Sequence, residues 1–227
     1  MKNIIITGTS RGIGLELAKL FGNAGHQVLA LSRNDQPCQE LQHPKVHSFS
    51  CDLSQNDSIN QVVDYIKTHW QSQVDILINN AGMLIKKPFA ELTPSDVETV
   101  YKVNIGGVFS ITQATLPFMK PGSHVVNISS IGGIQGSLKF PGLAAYSSSK
   151  GALNILTEVL SEEYKESGIA FNALALGAVQ TEMLAIAFPG YQAPISAVDM
   201  AQYIMDFSLQ GNRFYNGKIL QVSTSTP

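Results

Sequence analysis

The 227-residue chain predicts a single-domain, doubly wound α/β fold with a seven-stranded parallel sheet and helices on both faces. Three observations carry this: seven short, largely apolar segments have strand character, helical segments separate them, and polar or glycine-bearing residues stand directly after several of them. Strands that read as apolar runs rather than as alternating patterns are covered on both faces, which calls for a parallel sheet between two helical layers.

The elements follow in order. Ile4 to Ile6 form a β-branched run ending at Thr7-Gly8, and an apolar-periodic helix from about Ile13 to Ala24 is stopped by Gly25. Strand Gln27 to Leu31 comes next, then a polar stretch containing Pro37, strand Val46 to Ser50, a helix from about Asp57 to Trp70 and strand Val74 to Ile78. A long helical region containing Val97 to Thr115 precedes strand His124 to Ile128, and a helix over Ala144 to Ser167 precedes strand Ala170 to Ala175. A last helix, about Ala197 to Leu209, leads into strand Lys218 to Val222. In such sheets ligands bind outside the carboxyl ends of the strands, at the point where the strand order reverses.

An apolar content of 44% supports one substantial core over residues 1–227. A net charge of −2 without runs of like charge gives no footprint for nucleic acid or anionic lipid and favours a small-molecule ligand. The opening MKNIIITG runs straight into a glycine turn, with no signal-peptide pattern and no stretch of membrane-spanning length, so a soluble cytoplasmic protein is expected. Cys38 and Cys51 form no C-x-x-C pair and the five histidines no H-x-x-x-H spacing, so neither a disulfide nor a metal site is expected.

Directly after the first strand comes Thr7-Gly8-Thr9-Ser10-Arg11-Gly12-Ile13-Gly14. Glycines let the backbone approach a pyrophosphate, and the helix N-terminus offers unpaired N–H groups and a positive dipole end. The second strand ends in Ser32-Arg33. A site preferring NAD places a carboxylate there to bind the ribose hydroxyls, whereas a 2′-phosphate needs room and positive charge. Ser32 supplies no carboxylate and Arg33 supplies charge, with Arg11 placed to reach the same phosphate; NADP(H) is expected, with NAD(H) possible. The alternative makes both arginines solvated surface residues. Tyr146 and Lys150 stand four residues apart, on one face of a helix, where an ammonium favours the ionised phenol. Bringing a phenol from ~10 to roughly 7 takes about 4 kcal/mol, which one lysine need not supply alone.

Taken together, these residues resemble the short-chain dehydrogenase/reductase family over essentially the whole chain. The Thr-Gly-x-x-x-Gly-x-Gly turn, Asp52-Leu53, Asn79-Asn80-Ala81-Gly82, Asn104, Ser130, Tyr146 with Lys150, and Gly177 to Thr181 occur in the family's order. The resemblance implies a Rossmann-type fold and hydride transfer between a nicotinamide and a carbonyl or secondary alcohol. It implies that Tyr146 donates the proton, Ser130 binds the same oxygen, and Lys150 holds the nicotinamide ribose and lowers the phenol's pKa. Asn104 would position a water linking Lys150 to solvent. Asp52 would bind the adenine amino group with a backbone contact from Leu53, or else cap the next helix. Asn79 would brace the sheet, Asn80, Ala81 and Gly82 would pass the adenosine ribose, and Val179 and Thr181 would hold the carboxamide. Ser130 is chosen over Ser129, which is expected to hydrogen-bond within the loop; Ser147, Ser148 and Ser149 read as helix-start residues.

Departures from the family pattern set further expectations. Leu176 replaces a common proline before Gly177, which predicts a loop after the sixth strand that is more mobile or differently shaped. The stretch between Ser130 and Tyr146 is longer than usual and is expected to line or overhang the substrate pocket. Residues 182–196 are short for a covering loop; Met183, Leu184, Ile186, Phe188 and Tyr191 suggest an apolar lid or simple packing on the core. Residues 221–227 lack a glycine-rich tail. The resemblance also implies a homodimer or homotetramer, through Gly106 to Met119 and Ala152 to Glu166. The resulting expectation is an NADPH-dependent reductase of a small-molecule ketone, aldehyde or 3-oxoacyl group, with an oxidative alcohol dehydrogenase or a catalytically idle dinucleotide-binding regulatory protein as alternatives.

Overall fold

Seven parallel strands form one sheet in the order β3-β2-β1-β4-β5-β6-β7 in a computed structural model that describes residues 1–225. The strands are β1 Asn3–Thr7, β2 Gln27–Ser32, β3 Val46–Ser50, β4 Val74–Asn79, β5 Met119–Ser130, β6 Ala170–Leu176 and β7 Lys218–Val222. The chain runs outward from β1 to β3 and returns to β4 on the other side of β1, so the strand order reverses between β1 and β4. Ligand-binding clefts open there in doubly wound sheets.

Among the described residues eight α-helices cover the sheet: α1 Gly12–Asn23, α2 Gln36–Gln39, α3 Asn56–His69, α4 Pro94–Tyr101, α5 Gly107–Thr115, α6 Ala144–Glu163, α7 Glu182–Ala187 and α8 Ala197–Gln210. β1 shows why the strands read as continuous apolar runs. Ile4 and Ile6 enter a core with Leu17 and Phe21 of α1 and Ile204 of α8, while Ile5 enters the opposite core with Val62 and Ile66 of α3 and Ile111 of α5. All three isoleucines are fully buried, because successive side chains alternate between two covered faces.

Three local differences from the sequence expectations have physical causes. The helical region containing Val97 begins at Pro94, behind a reciprocal capping box of Thr93 and Asp96. Within that region Lys102–Gly106 is a π-helical turn between α4 and α5. The helix predicted to reach Ser167 ends at Glu163, followed by a 3₁₀ turn over Lys165–Ser167 and by Gly168 in the left-handed region at φ +70°. Two short helices, α2 and α7, lie in segments too short to carry a helical period.

No described helix is long and apolar enough to cross a membrane. Cys38 and Cys51 are buried free thiols. Thr226 and Pro227, the end of the tail singled out in the sequence, lie outside the described residues.

Candidate active site

The glycine-rich turn sits at the switch point, packed backbone to backbone against the segment after β4. Gly8 has φ +73°, and a Cβ built on it would stand 2.7 Å from the Ala81 Cα. One built on Gly14 would stand 2.2 Å from the Gly8 carbonyl oxygen. Asn80 staples the two loops: its Nδ2 donates to the Thr7 and Gly8 carbonyls at 3.0 and 3.1 Å, and its backbone N–H donates to Thr7 Oγ1 at 3.1 Å. The Ala81 N–H donates to the same hydroxyl at 3.0 Å. The Asn80 side chain thus shapes the turn from within.

Gly12, at φ +54°, is less crowded; the nearest atoms to a Cβ built there belong to Thr181 and Glu182, each at 3.6 Å, an ordinary van der Waals contact. Arg11 occupies the N-cap of α1 and no side chain caps that terminus, so the first-turn N–H groups are available to an anion. Ile13 packs its side chain on the core and Gly14 serves close packing, so both offer the cleft their backbone only. Ser10 is half-buried at the rim. The exposed carboxylate of Glu182 stands near the same turn, an unfavourable charge for an anion. The residues present therefore fit a dinucleotide pyrophosphate: an uncapped helix terminus, a left-handed glycine with only van der Waals neighbours, and a backbone cradle.

At the adenosine end, Ser32 Oγ donates to the Asn34 carbonyl at 2.7 Å, and Arg33 is exposed. Among the described residues neither Arg11 nor Arg33 is in a salt bridge. Asp52 does not cap the next helix, which starts at Asn56 with Gln55 in the cap position. It forms an Asx turn instead, accepting from the Ser54 N–H and hydroxyl at 2.9 and 2.8 Å. Those two bonds hold its carboxyl below the usual range, with Arg33 and Lys102 adding to the effect. Lys102 is a cation at this end that sequence reading missed, since only the π-helical turn brings it near Asp52. Leu53 packs on the start of α5, 3.0 Å from a Cβ built on Gly107.

Asn104, Ser130, Tyr146 and Lys150 come together beyond the carboxyl ends of β4 and β5. Ser130 ends β5, and its Oγ accepts from the Gly132 N–H at 3.2 Å. The Ser130 hydroxyl lies near the Tyr146 phenol and acts in the direction that favours the phenolate. Lys150 is 4% exposed; its Nζ donates to the Ile128 carbonyl at 2.8 Å and lies 5.8 Å from the Tyr146 ring centroid. Asn104 is fully buried: Oδ1 accepts from the Met83 N–H at 2.7 Å, and Nδ2 donates to the Met83 carbonyl at 3.0 Å and to Ser149 Oγ at 2.9 Å.

The electrostatics correct one expectation. Burial pushes the Tyr146 phenol up, against the pull of Ser130, rather than leaving it lowered by Lys150. Burial also pushes Lys150 down, to about 8. Taking either group out of water penalises its charged form, and at this separation the ammonium does not overcome that for the phenol. A proton donor must be protonated at rest, so a raised phenol is compatible with that role; the cation is needed once the proton has left.

Ser129 also departs from expectation, donating to the Lys150 carbonyl at 3.4 Å and so tying β5 to α6 instead of bonding within its loop. Asn79 does brace the sheet, donating to Asn127 Oδ1 at 2.8 Å and Thr112 Oγ1 at 3.2 Å. Ser149 is buried inside the site rather than merely starting the helix. Val179 is buried in the core, leaving its backbone for any ligand, and the Thr181 hydroxyl caps α7 by accepting from the Leu184 N–H at 3.3 Å.

The segment 182–196 forms α7 and a return arm that runs into Ser196, the N-cap of α8. Lys86 Nζ donates to the Ala187 carbonyl at 2.5 Å and lies 5.0 Å from the centre of the Phe188 ring, which meets Phe140 edge-on at 5.1 Å. The longer loop before Tyr146 thus touches the segment after α7. Lys139 to Ala144, with Phe89 and Ser147, line a groove of about 440 Å³ beside the site. The loop after β6 is tethered rather than loose: the Gly177 N–H donates to the Val222 carbonyl at 2.9 Å and the Ala178 N–H to the Ser225 carbonyl at 3.2 Å. A Cβ on Gly177 would stand 2.0 Å from Ser223 Oγ, so glycine is required where the tail crosses.

Comparisons with known proteins agree with this arrangement. A family model described as short chain dehydrogenase matches residues 2–191. The gluconate 5-dehydrogenase of Gluconobacter oxydans is 33% identical over 187 residues, covering 79% of this chain and 72% of the relative. The 3-oxoacyl-[acyl-carrier-protein] reductase FabG of Aquifex aeolicus is 31% identical over 191 residues, covering 80% and 75%. A short chain dehydrogenase from Burkholderia cenocepacia, solved in complex with NADP, superposes with a TM-score of 0.86 at 25% identity, covering 98% of this chain and 96% of that one. The cradle at the switch point, the serine, tyrosine and lysine beyond β5, and the match over residues 2–191 place the chain in the short-chain dehydrogenase/reductase family, NAD(P)-binding oxidoreductases acting on CH–OH and C=O groups.

Proposed function

We propose that this protein is an NADPH-dependent carbonyl reductase for a ketone, aldehyde or 3-oxoacyl group, built as one nucleotide-binding domain whose C-terminal half forms the substrate site. The observation that carries the reading is Tyr146 beside the Ser130 hydroxyl and the buried Lys150, at the strand ends that adjoin the glycine cradle. A bound nicotinamide dinucleotide supplies the hydride.

The residues divide the remaining work. Gly8, Ser10, Gly12 and the backbone of Ile13 and Gly14 hold the pyrophosphate. Arg11, Ser32 and Arg33 receive a 2′-phosphate, Asp52 and Leu53 the adenine, and Asn80, Ala81 and Gly82 the adenosine ribose. Tyr146 and Lys150 hold the nicotinamide ribose, with Val179 and Thr181 at the carboxamide. Tyr146 gives its proton to the carbonyl oxygen, to which Ser130 also donates, and Lys150 stabilises the phenolate left behind. Asn104 anchors a water that returns the proton from solvent to Lys150.

Unpaired Arg33 and the missing carboxylate at Ser32 support NADPH over NADH. A phosphate bound to arginine is a charge-assisted contact of about 1.5–3 kcal/mol, so kcat/KM is expected to favour NADPH by roughly 10- to 100-fold, and Arg33→Ala to remove most of that ratio. Comparable values for both cofactors in the wild-type protein would remove the preference.

The helix faces chosen from sequence expose Phe109 of α5 and Ile155 and Val159 of α6, at 44%, 60% and 53% of their surface. These support a homodimer or homotetramer in which α5 and α6 pack against a second copy. A monomeric mass by light scattering at micromolar concentration would end that proposal.

A further inference from the structure

Ser149 is fully buried on the side of α6 that meets the π-helical turn. Its hydroxyl donates to the Tyr146 carbonyl at 2.7 Å, one turn back in the same helix, so its oxygen meets Asn104 Nδ2 as an acceptor only. The amino end of the Asn104 amide is thereby held toward α6, with its second proton on the Met83 carbonyl. Oδ1 takes the Met83 N–H and keeps one further lone pair. That oxygen and the Lys150 ammonium flank one point above Gly82: a Cβ built there would stand 3.8 Å from Oδ1 and 3.5 Å from Nζ. Among the described residues the Lys150 ammonium has a single hydrogen-bond partner, the Ile128 carbonyl, so two of its protons are free to donate to other acceptors.

We propose that Ser149 is a positioning residue for proton delivery, holding Asn104 in the orientation through which Lys150, and from it Tyr146, is resupplied from solvent. This rests on the reductase reading above. A serine that only needed burial in a helix is satisfied by its bond to the carbonyl one turn back. The acceptor contact to Asn104 goes beyond that need, and it joins three segments at one amide: the chain after β4, the π-helical turn and α6. Without it an amide N–H is left buried without a partner and the amide loses one of its three anchors.

The test measures kcat, KM and the solvent deuterium isotope effect on carbonyl reduction, with NADPH affinity read separately by fluorescence titration. Ser149→Ala is expected to lower kcat roughly tenfold and to raise the solvent isotope effect, because proton resupply becomes slower relative to hydride transfer. The Kd for NADPH stays within about threefold of wild type. Ser149→Cys keeps nearly the same volume but is a weak acceptor, so it changes both quantities in the same direction and carries the test if the alanine variant does not fold. In an Asn104→Ala background, Ser149→Ala adds no further loss of kcat. Wild-type kcat and isotope effect in a soluble Ser149 variant, or losses that multiply in the double variant, overturn the proposal. Tyr146→Phe alongside separates the two failures: full turnover in that variant removes the reductase reading, whereas a dead Tyr146→Phe with an unaffected Ser149→Ala removes only the role of Ser149.

Discussion

Tyr146→Phe is expected to bind NADPH with nearly wild-type affinity and to lose kcat by about 10²- to 10⁴-fold, the range a positioned proton donor contributes. The substitution removes one oxygen and keeps the ring, so the local packing of α6 is retained and the loss reads on chemistry. Ser130 stays available to the carbonyl oxygen as a neutral hydrogen-bond donor, which sets a floor under the residual activity. Measuring kcat by NADPH depletion and Kd by fluorescence decides the matter, and near wild-type kcat would withdraw the acid from Tyr146. The same residues give a pH dependence of defined sign. Lys150 is lowered to about 8 by burial, so it is a cation below that pH and neutral above it. The cation stabilises the phenolate left after proton transfer, so kcat/KM for reduction is expected to fall as pH rises through about 8. A profile flat from pH 7 to 10 would show that the charge on Lys150 is not used.

Gly14→Ala is expected to have the largest effect on the cofactor end. The new methyl would stand 2.2 Å from the Gly8 carbonyl oxygen, 2.6 Å from Asn80 Nδ2 and 2.8 Å from the Gly8 carbonyl carbon. Two of those atoms are backbone and the third is the staple of the turn, so α1 must lift away from the turn that follows β1. Overpacking of this kind costs about 1–3 kcal/mol, which lowers Tm by roughly 2–12 °C in a chain of this size. Because the same backbone forms the phosphate cradle, NADPH affinity is expected to fall more than tenfold. Gly12→Ala is the contrast: its methyl has room, at 3.6 Å from Thr181 and Glu182, and pays only for φ +54°. Calorimetry and fluorescence titration on both variants check this, and wild-type Tm and affinity in Gly14→Ala would contradict the packing described.

What could be read from sequence and what could not divides along a physical line. Ile4 to Ile6, Leu174 and the other residues of the central strands are buried on both faces, so their patterns survive in one dimension; the edge strands β3 and β7 are more exposed, and all seven strands were legible. Tyr146 and Lys150 were legible because four residues on a helix fix a shared face. The phenol's raised pKa was not, since burial depends on segments far away in the chain. The π-helical turn has no periodic signature, so the approach of Lys102 to Asp52 could not be anticipated, whereas Asn104 entered only through the resemblance. Ser149 was read as a helix-start serine because its partner stands 45 residues earlier. Thr181 carried a usable signal that went unread: a threonine before Glu182 and a short apolar segment is a capping pattern. The contact of Lys86, Phe140 and Phe188 joins three loops and exists only in the folded chain.

The most direct test of the proposed reaction is a depletion screen in which the wild-type protein and NADPH meet a panel of ketones, aldehydes and 3-oxoacyl thioesters, with absorbance at the reduced nicotinamide band and product analysis together. The expected result is NADPH consumption matched one for one by alcohol from at least one carbonyl class, abolished in Tyr146→Phe. NADPH bound tightly with no carbonyl in the panel reduced would contradict it and favour a dinucleotide-binding protein without this chemistry.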